Sequence, residues 1–275
     1  VTISFRLDQV RIYAADHRDG ERSLPPDEDL ESVIGSAGDR FRDSFTRLCL
    51  YAARSSDAHA ERSCDTVIVG TEYGNAEALA RLQRDAPLLG RRLSPQAFPQ
   101  AISGAAAASV AMATGATGAN LTLGGNLLTP VLAFWQAHAT LDRSPDSTCR
   151  LLVGDMYSEE ARADALRHRS DLACRSGIAH AVLAAGEEFS AVFDFSPATP
   201  ADSPDHRVHG AGAADGAEPA ERNGAFALGR FLRQLQQLPV GETAVLECRK
   251  SPTQRAAVRV TRMTDHTADP GRSER

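Results

Sequence analysis

LSPQAFPQAISGAAAASVAMATGATGANLTLGGNLLTPVLAFWQAHATL, residues 93–141, contains no Asp, Glu, Lys or Arg, in a chain whose residues are 24% charged. Charged side chains are the ones ordinarily left at the surface, so a run this long without them reads as backbone buried on most sides. It divides into three pieces. Ile102 to Thr114 is rich in Ala and Ser and predicts a helix whose small side chains let other backbone come close. Asn120 to Leu123 alternates like a short strand, with Gly115 and Gly118 making the turn into it. Thr129 then reads as the cap of a second helix, with Pro130 at its first position, where a missing N–H does no harm. A membrane span is the rival reading. It loses because Gly, Pro, Asn and Thr interrupt the run every few residues, and no unbroken apolar segment reaches about 20.

A buried helix, a turn, a short strand and a second helix joined by a sharp elbow at Gly124-Gly125-Asn126-Leu127 resemble the nucleophile region of the β-ketoacyl synthases, which have the thiolase fold. Members of that family read roughly P-x-x-x-x-N-x-x-A-G…G-L-x-G-P-x-x-x-x-x-x-A-C-S/T-S here. Phe98 to His138 can be laid on the pattern without a gap, with Pro99, Gly104, Gly115 and Gly118 at matching places. The resemblance covers about 67–141 and fades beyond Glu187.

The same comparison exposes a departure. The family's cysteine sits at the elbow, where backbone amides and the helix dipole favour a thiolate. That position is Leu127 here, or Asn126 one register earlier, and neither side chain can attack a thioester. A ketosynthase also needs two histidines and usually a lysine. The only lysine is Lys250, and no second-half N-x-F-G-F-G-G-x-N-x-H signature is present. The resemblance therefore implies a non-catalytic subunit of the chain-length-factor kind, although that kind commonly carries glutamine at the cysteine position. Implied partners are an active ketosynthase, as a heterodimer, and an acyl carrier protein through the complex. No cofactor is implied. By resemblance, Asn120, Leu121, Thr122 and Leu123 pair across the dimer axis, while Phe98, Ile102, Ala105 and Ala106 line the partner's acyl tunnel.

Composition sets the outer limits. A chain of 275 residues with 42% hydrophobic residues and a mean hydropathy of -0.29 describes an ordinary soluble globular protein. A net charge of -6 argues against nucleic acid or an anionic membrane as partner. Arg91-Arg92 is a faint basic patch for an acidic carrier protein. Cys49, Cys64, Cys149, Cys174 and Cys248 form no C-x-x-C pair and read as free thiols in a reducing cytoplasm.

In order, Thr2–Tyr13 alternates as a first or edge strand, and Asp39–Ser55 has the spacing of an amphipathic helix. Thr66–Thr71, Arg150–Gly154 and Gly177–Ala185 read as buried strands, with helices over Asn75–Arg84 and Glu159–Arg169. Strands alternating with helices predict an α/β layered architecture with a mainly parallel sheet. The thiolase-like resemblance divides it into an N-terminal core over 1–195, a flexible loop over 196–223, a remnant second half of one helix and a strand pair over 224–263, and a disordered tail over 264–275. His209, in a run resembling the family's histidine motif, reads as a chance match, and His180 as a core histidine. Gly70–Gly74 reads as a strand-to-helix connection without phosphate-loop spacing, Glu72 as a carboxylate with no evident partner, and Asp155 as the cap of the next helix. Two further readings stay open: an acyltransferase using Cys149 or Cys174, and a stand-alone acyl-binding or scaffold protein.

Overall fold

A computed structural model describes residues 2–37, 39–55, 66–89, 94–168, 172–197, 206–210, 221–251 and 253–264. Ten strands form one mixed sheet: β1 (Thr2–Ala14), β2 (Arg22–Ser23), β3 (Thr66–Gly70), β4 (Asn120–Leu123), β5 (Thr148–Asp155), β6 (Gly177–Ala185), β7 (Phe189–Asp194), β8 (His206–Gly210), β9 (Thr243–Ser251) and β10 (Gln254–Arg262). Their order is β4-β3-β5-β6-β1-β7-β10-β9-β8, with β2 beside β1. The helices are α1 (Asp27–Ile34), α2 (Ser44–Arg54), α3 (Ala76–Leu89), α4 (Ala105–Thr114), α5 (Thr129–Arg143), α6 (Glu159–His168) and α7 (Gly224–Gln237).

Side-chain alternation on the strands builds the layers. Val67, Val69, Leu152 and Ile178 face a cluster with Phe45, Leu48 and Cys49 of α2 and Ala106, Ala107 and Val110 of α4. Ile68, Leu151, Val153, Ala181 and Leu183 point the other way, toward Val131 and Phe134 of α5 and Phe231 and Leu232 of α7. Phe189, Leu246, Val258 and Val260 from β7, β9 and β10 close over the same two helices. The sheet thus wraps around α5 and α7, and the C-terminal strands continue it rather than standing apart.

Several expectations need correcting. Parallel pairing holds for β3 with β4 and with β5 and for β1 with β2, whereas the other strand pairs are antiparallel, so the sheet is not mainly parallel. β1 lies in mid-sheet, not at an edge. Ile102 precedes α4 with an extended backbone, at the end of a 3-10 turn over Pro95–Ala101, because Pro99 inside that turn opposes a regular helix there. Gly115 takes the left-handed conformation (φ 67) that ends α4. Within the segment expected as one loop, His206–Gly210 form β8 against β9. Arg91-Arg92 and the tail from 265 onward lie outside the described residues.

A cleft beside a nucleophile-free elbow

The elbow lies between β4 and α5. The Thr71 N–H donates to the Leu123 carbonyl (2.9 Å), carrying the β3–β4 pairing up to the turn. A 3-10 turn over Asn126–Leu128 follows and runs straight into α5. Thr129 does not cap α5 forward; its hydroxyl accepts from the Gly125 N–H (2.9 Å) and pins the turn from behind. Gly70 lets α5 come this close to β3, since a Cβ there would meet the Ala133 Cβ at 2.9 Å. Asn126 has φ 54, a left-handed conformation that asparagine tolerates better than most residues, and its side chain is exposed. Leu127 points inward and is 3% exposed.

Beside the elbow is an open cleft of about 400 Å³ lined by Asn126, Leu127, Glu72, Arg222, Asp164 and His168, together with Lys250, Ser251 and Gln254 from the β9–β10 hairpin. Its near wall is the loop after β3, latched by Asp155. The Asp155 carboxylate accepts from the Thr71 hydroxyl (2.6 Å) and from the Glu72 (2.9 Å) and Tyr73 (2.7 Å) N–H groups. Burial outweighs these bonds and pushes the carboxyl up to about 6. Asp155 therefore holds the preceding loop instead of capping α6, where the Ser158 hydroxyl accepts from the Ala161 N–H (3.3 Å). Glu72 has a partner after all: Arg222 donates to it through Nε (2.8 Å) and Nη2.

The segment bearing Arg222 is anchored on both sides. Asn223 caps α7 by accepting from the Ala225 N–H (3.0 Å), and its amide lies within 2.9 Å of the Arg175 and Gly177 carbonyls and 3.2 Å of that of Asp155. Arg175 is held between Glu21 and Glu221 and stacks 3.5 Å above the Phe226 ring.

The other residues singled out in the sequence fall in different places. Phe98 and Ile102 are 53% and 60% exposed, whereas Ala105 and Ala106 are buried. Asn120 is exposed and Leu121–Leu123 half-buried on β4, which among the described residues pairs with β3 alone and ends the sheet. The 3-10 turn and α4 also border a hollow of about 500 Å³ with α2, lined by Phe41, Leu50, Pro99, Gln100 and Met112 among others. His209 is exposed on β8, and His180 is fully buried with Nε2 3.1 Å from Arg150 Nη1. Cys149 is fully buried in β5, and burial pushes the Cys174 thiol up, away from thiolate. Sequence reasoning missed Arg222 and the meeting of the β9–β10 hairpin with the elbow. No local pattern signals a contact spanning the sequence from Leu127 to Lys250. The signal that could have pointed to this segment is Asn223 directly ahead of an amphipathic run, a helix-start pattern that the reading of 196–223 as a loop passed over.

Among the described residues no helix is long and apolar enough to cross a membrane, and no group of His, Cys, Asp or Glu could hold a metal ion. No family model matches the sequence, and no curated protein sequence does. Solved structures match by fold. The ishigamide ketosynthase/chain length factor aligns over 86% of this chain and 85% of its own, with a TM-score of 0.63 and 14% identity. The ketosynthase ApeO in complex with its chain length factor ApeC from Xenorhabdus doucetiae aligns over 94% and 100%, with a TM-score of 0.61 and 10% identity. A β-ketoacyl synthase from Burkholderia phymatum aligns over 88% and 86%, with a TM-score of 0.58 and 10% identity. At such identities the likeness is one of fold. This chain has the thiolase-like, layered α/β fold of the ketosynthases and chain-length factors, as its elbow implied.

Proposed function

We propose that this chain is a non-catalytic, chain-length-factor-like subunit that heterodimerises with an active ketosynthase and shapes its acyl tunnel, working in the cytoplasm with an acyl carrier protein docked on the complex. The observation that carries the reading is an elbow without a nucleophile next to an uncharged, open sheet edge: Leu127 is buried, Asn126 is an amide, and β4 presents its outer side unpaired by any described strand. A strand edge left free of charge is ordinarily a liability, and covering it with a partner's strand removes the liability. In this reading Asn120–Leu123 meet the partner, and Phe98 and Ile102 face its tunnel. The fold shared with ketosynthase and chain-length-factor structures supports it.

Co-expression with intact ketosynthases tests the proposal. The two chains should co-purify as a 1:1 complex, and thioester turnover should require the partner's cysteine. Leu127→Ala in this chain should cost the fold about 2–4 kcal/mol through the cavity it leaves, while condensation per assembled complex stays within twofold. A chain that remains a well-behaved monomer beside every intact ketosynthase offered sinks the heterodimer.

A further inference from the structure

The hollow of about 500 Å³ between α2, α4 and the 3-10 turn has no task in the heterodimer reading as stated above. One wall comes from the uncharged run: Pro99 and Gln100, next in the chain to the exposed Phe98, and Met112 of α4. Met112 is 78% exposed, a large apolar side chain to leave in water. The opposite wall carries two arginines, Arg42 just ahead of α2 and Arg54 in its last turn. α2 is about 16 Å long, so the two cations are carried at opposite ends of that wall and the hollow is elongated. Among the described residues no carboxylate lines it.

The two arginines differ. Arg42 Nη1 lies 3.6 Å from the Asp39 carboxylate, which Arg47 Nε also reaches at 3.1 Å. Arg54 is exposed, and its Nη1 donates to the Ile34 carbonyl (3.3 Å) at the end of α1. That bond holds the guanidinium in place and leaves its charge unchanged. A carboxylate closing on it, with water excluded by apolar contact at Met112, makes the kind of arginine-centred contact that dominates binding energy in protein interfaces. Shape and charge narrow the occupant. An elongated hollow suits a stretch of polypeptide better than a compact small molecule. One carboxylate fits better than a broadly acidic surface, which the Asp39 and Asp27 carboxylates held by Arg47 of α2 would repel. Whatever covers Phe98 also comes over this hollow, because the turn that carries Phe98 walls it. We propose that the hollow receives a segment of the ketosynthase partner, with an apolar side chain against Met112 and Pro99 and a carboxylate on Arg54. The inference rests on the heterodimer reading and extends its interface from the β4 edge to α2.

Peroxide footprinting of the co-purified complex tests it, because sulfoxide forms readily at exposed thioethers. Met263 is 53% exposed and follows β10, well away from β4 in the sheet order, so it serves as the internal control. In the chain alone at nanomolar dilution both Met112 and Met263 should oxidise. In the complex Met112 should slow about tenfold while Met263 keeps its rate. Arg54→Glu should weaken affinity for the same ketosynthase about tenfold, and Arg54→Lys by about threefold at most, with the difference shrinking as salt is raised. Both variants should retain their circular dichroism, and the footprint reads the hollow on the unaltered chain in any case. An intact complex in which Met112 oxidises as fast as in the chain alone, or whose affinity ignores Arg54→Glu, overturns the inference and leaves the heterodimer standing. Protection of Met112 by an acyl carrier protein without the ketosynthase assigns the hollow to the carrier and overturns it as well. Failure of the unaltered chain to bind any intact ketosynthase ends the heterodimer reading and this inference together.

Discussion

Asp43 shows how one side chain can support a helix and strain against its own charge. Its Oδ1 accepts from the Thr46 N–H at 2.6 Å and caps α2, while its buried Oδ2 makes no hydrogen bond among the described residues. Burial pushes the carboxyl from 3.8 up to about 6 despite the bonds from Thr46. A carboxyl that holds its proton more tightly when folded stabilises the fold at low pH, and that contribution is lost as pH rises from about 4 through 6. Asn caps a helix as well as Asp and carries no charge. Asp43→Asn should therefore gain stability relative to wild type across that window, by about 1–3 kcal/mol at neutral pH. Urea unfolding at pH 4.5 and 7.5 measures it, and a difference that does not change with pH would refute the assignment. His138, held down to about 4 by burial, has the opposite sign: its contribution is lost as pH falls from 6.5 toward 4. Asp43 as a buried cap was not legible in the sequence, because the expected helix began at Asp39 and placed this carboxylate inside it. Its strain comes from packing that no local pattern records.

Elements explain both what the sequence disclosed and what it hid. The β4 strand and the α5 helix were readable because turn residues and a proline punctuate them. Strand direction was not readable: β6 is buried along nearly its whole length, and an apolar run looks the same whether its neighbours run parallel or antiparallel. β8 was hidden for another reason. Val208 packs against the core between the exposed Arg207 and His209, and so short an alternation does not stand out within a polar stretch. The break between the 3-10 turn and α4 bears on the proposed tunnel, because Ile102 faces outward and Ala105 faces inward. Ile102→Trp should shorten the products of the complex without disturbing assembly, whereas Ala105→Trp should destabilise the chain by overpacking, at about 1–3 kcal/mol or more. Product mass spectra beside thermal melts separate the two, and unchanged product length with Ile102→Trp in an intact complex rules out the wall. On β4, Asn120→Lys sets a charge on the open edge and should lower co-purification while leaving the melting temperature within a few degrees. Undiminished pull-down by the variant would remove β4 from the interface.

For the molecule as a whole, the proposed partner accounts for a surface that is costly alone. Phe98, Ile102 and Met112 are all exposed within the uncharged run. Purified without a partner, the chain should self-associate in light scattering, and co-expression should abolish that; a monodisperse solo chain would favour the stand-alone scaffold reading. The path of β1 carries a different consequence. It pairs with β6 from Phe5 to Ala14 across a bulge at Gln9, where φ is 49, and Phe5 pairs with both Ala185 and Phe189, so β1 alone separates β6 from β7 in the sheet order. While a ribosome is making this protein, Thr2–Ala14 emerges long before residues 177–194, the segment that must flank it on both sides. The middle of the sheet therefore stays open through most of synthesis, and the nascent chain must keep an apolar strand waiting, a natural client for holding chaperones until its late partners arrive.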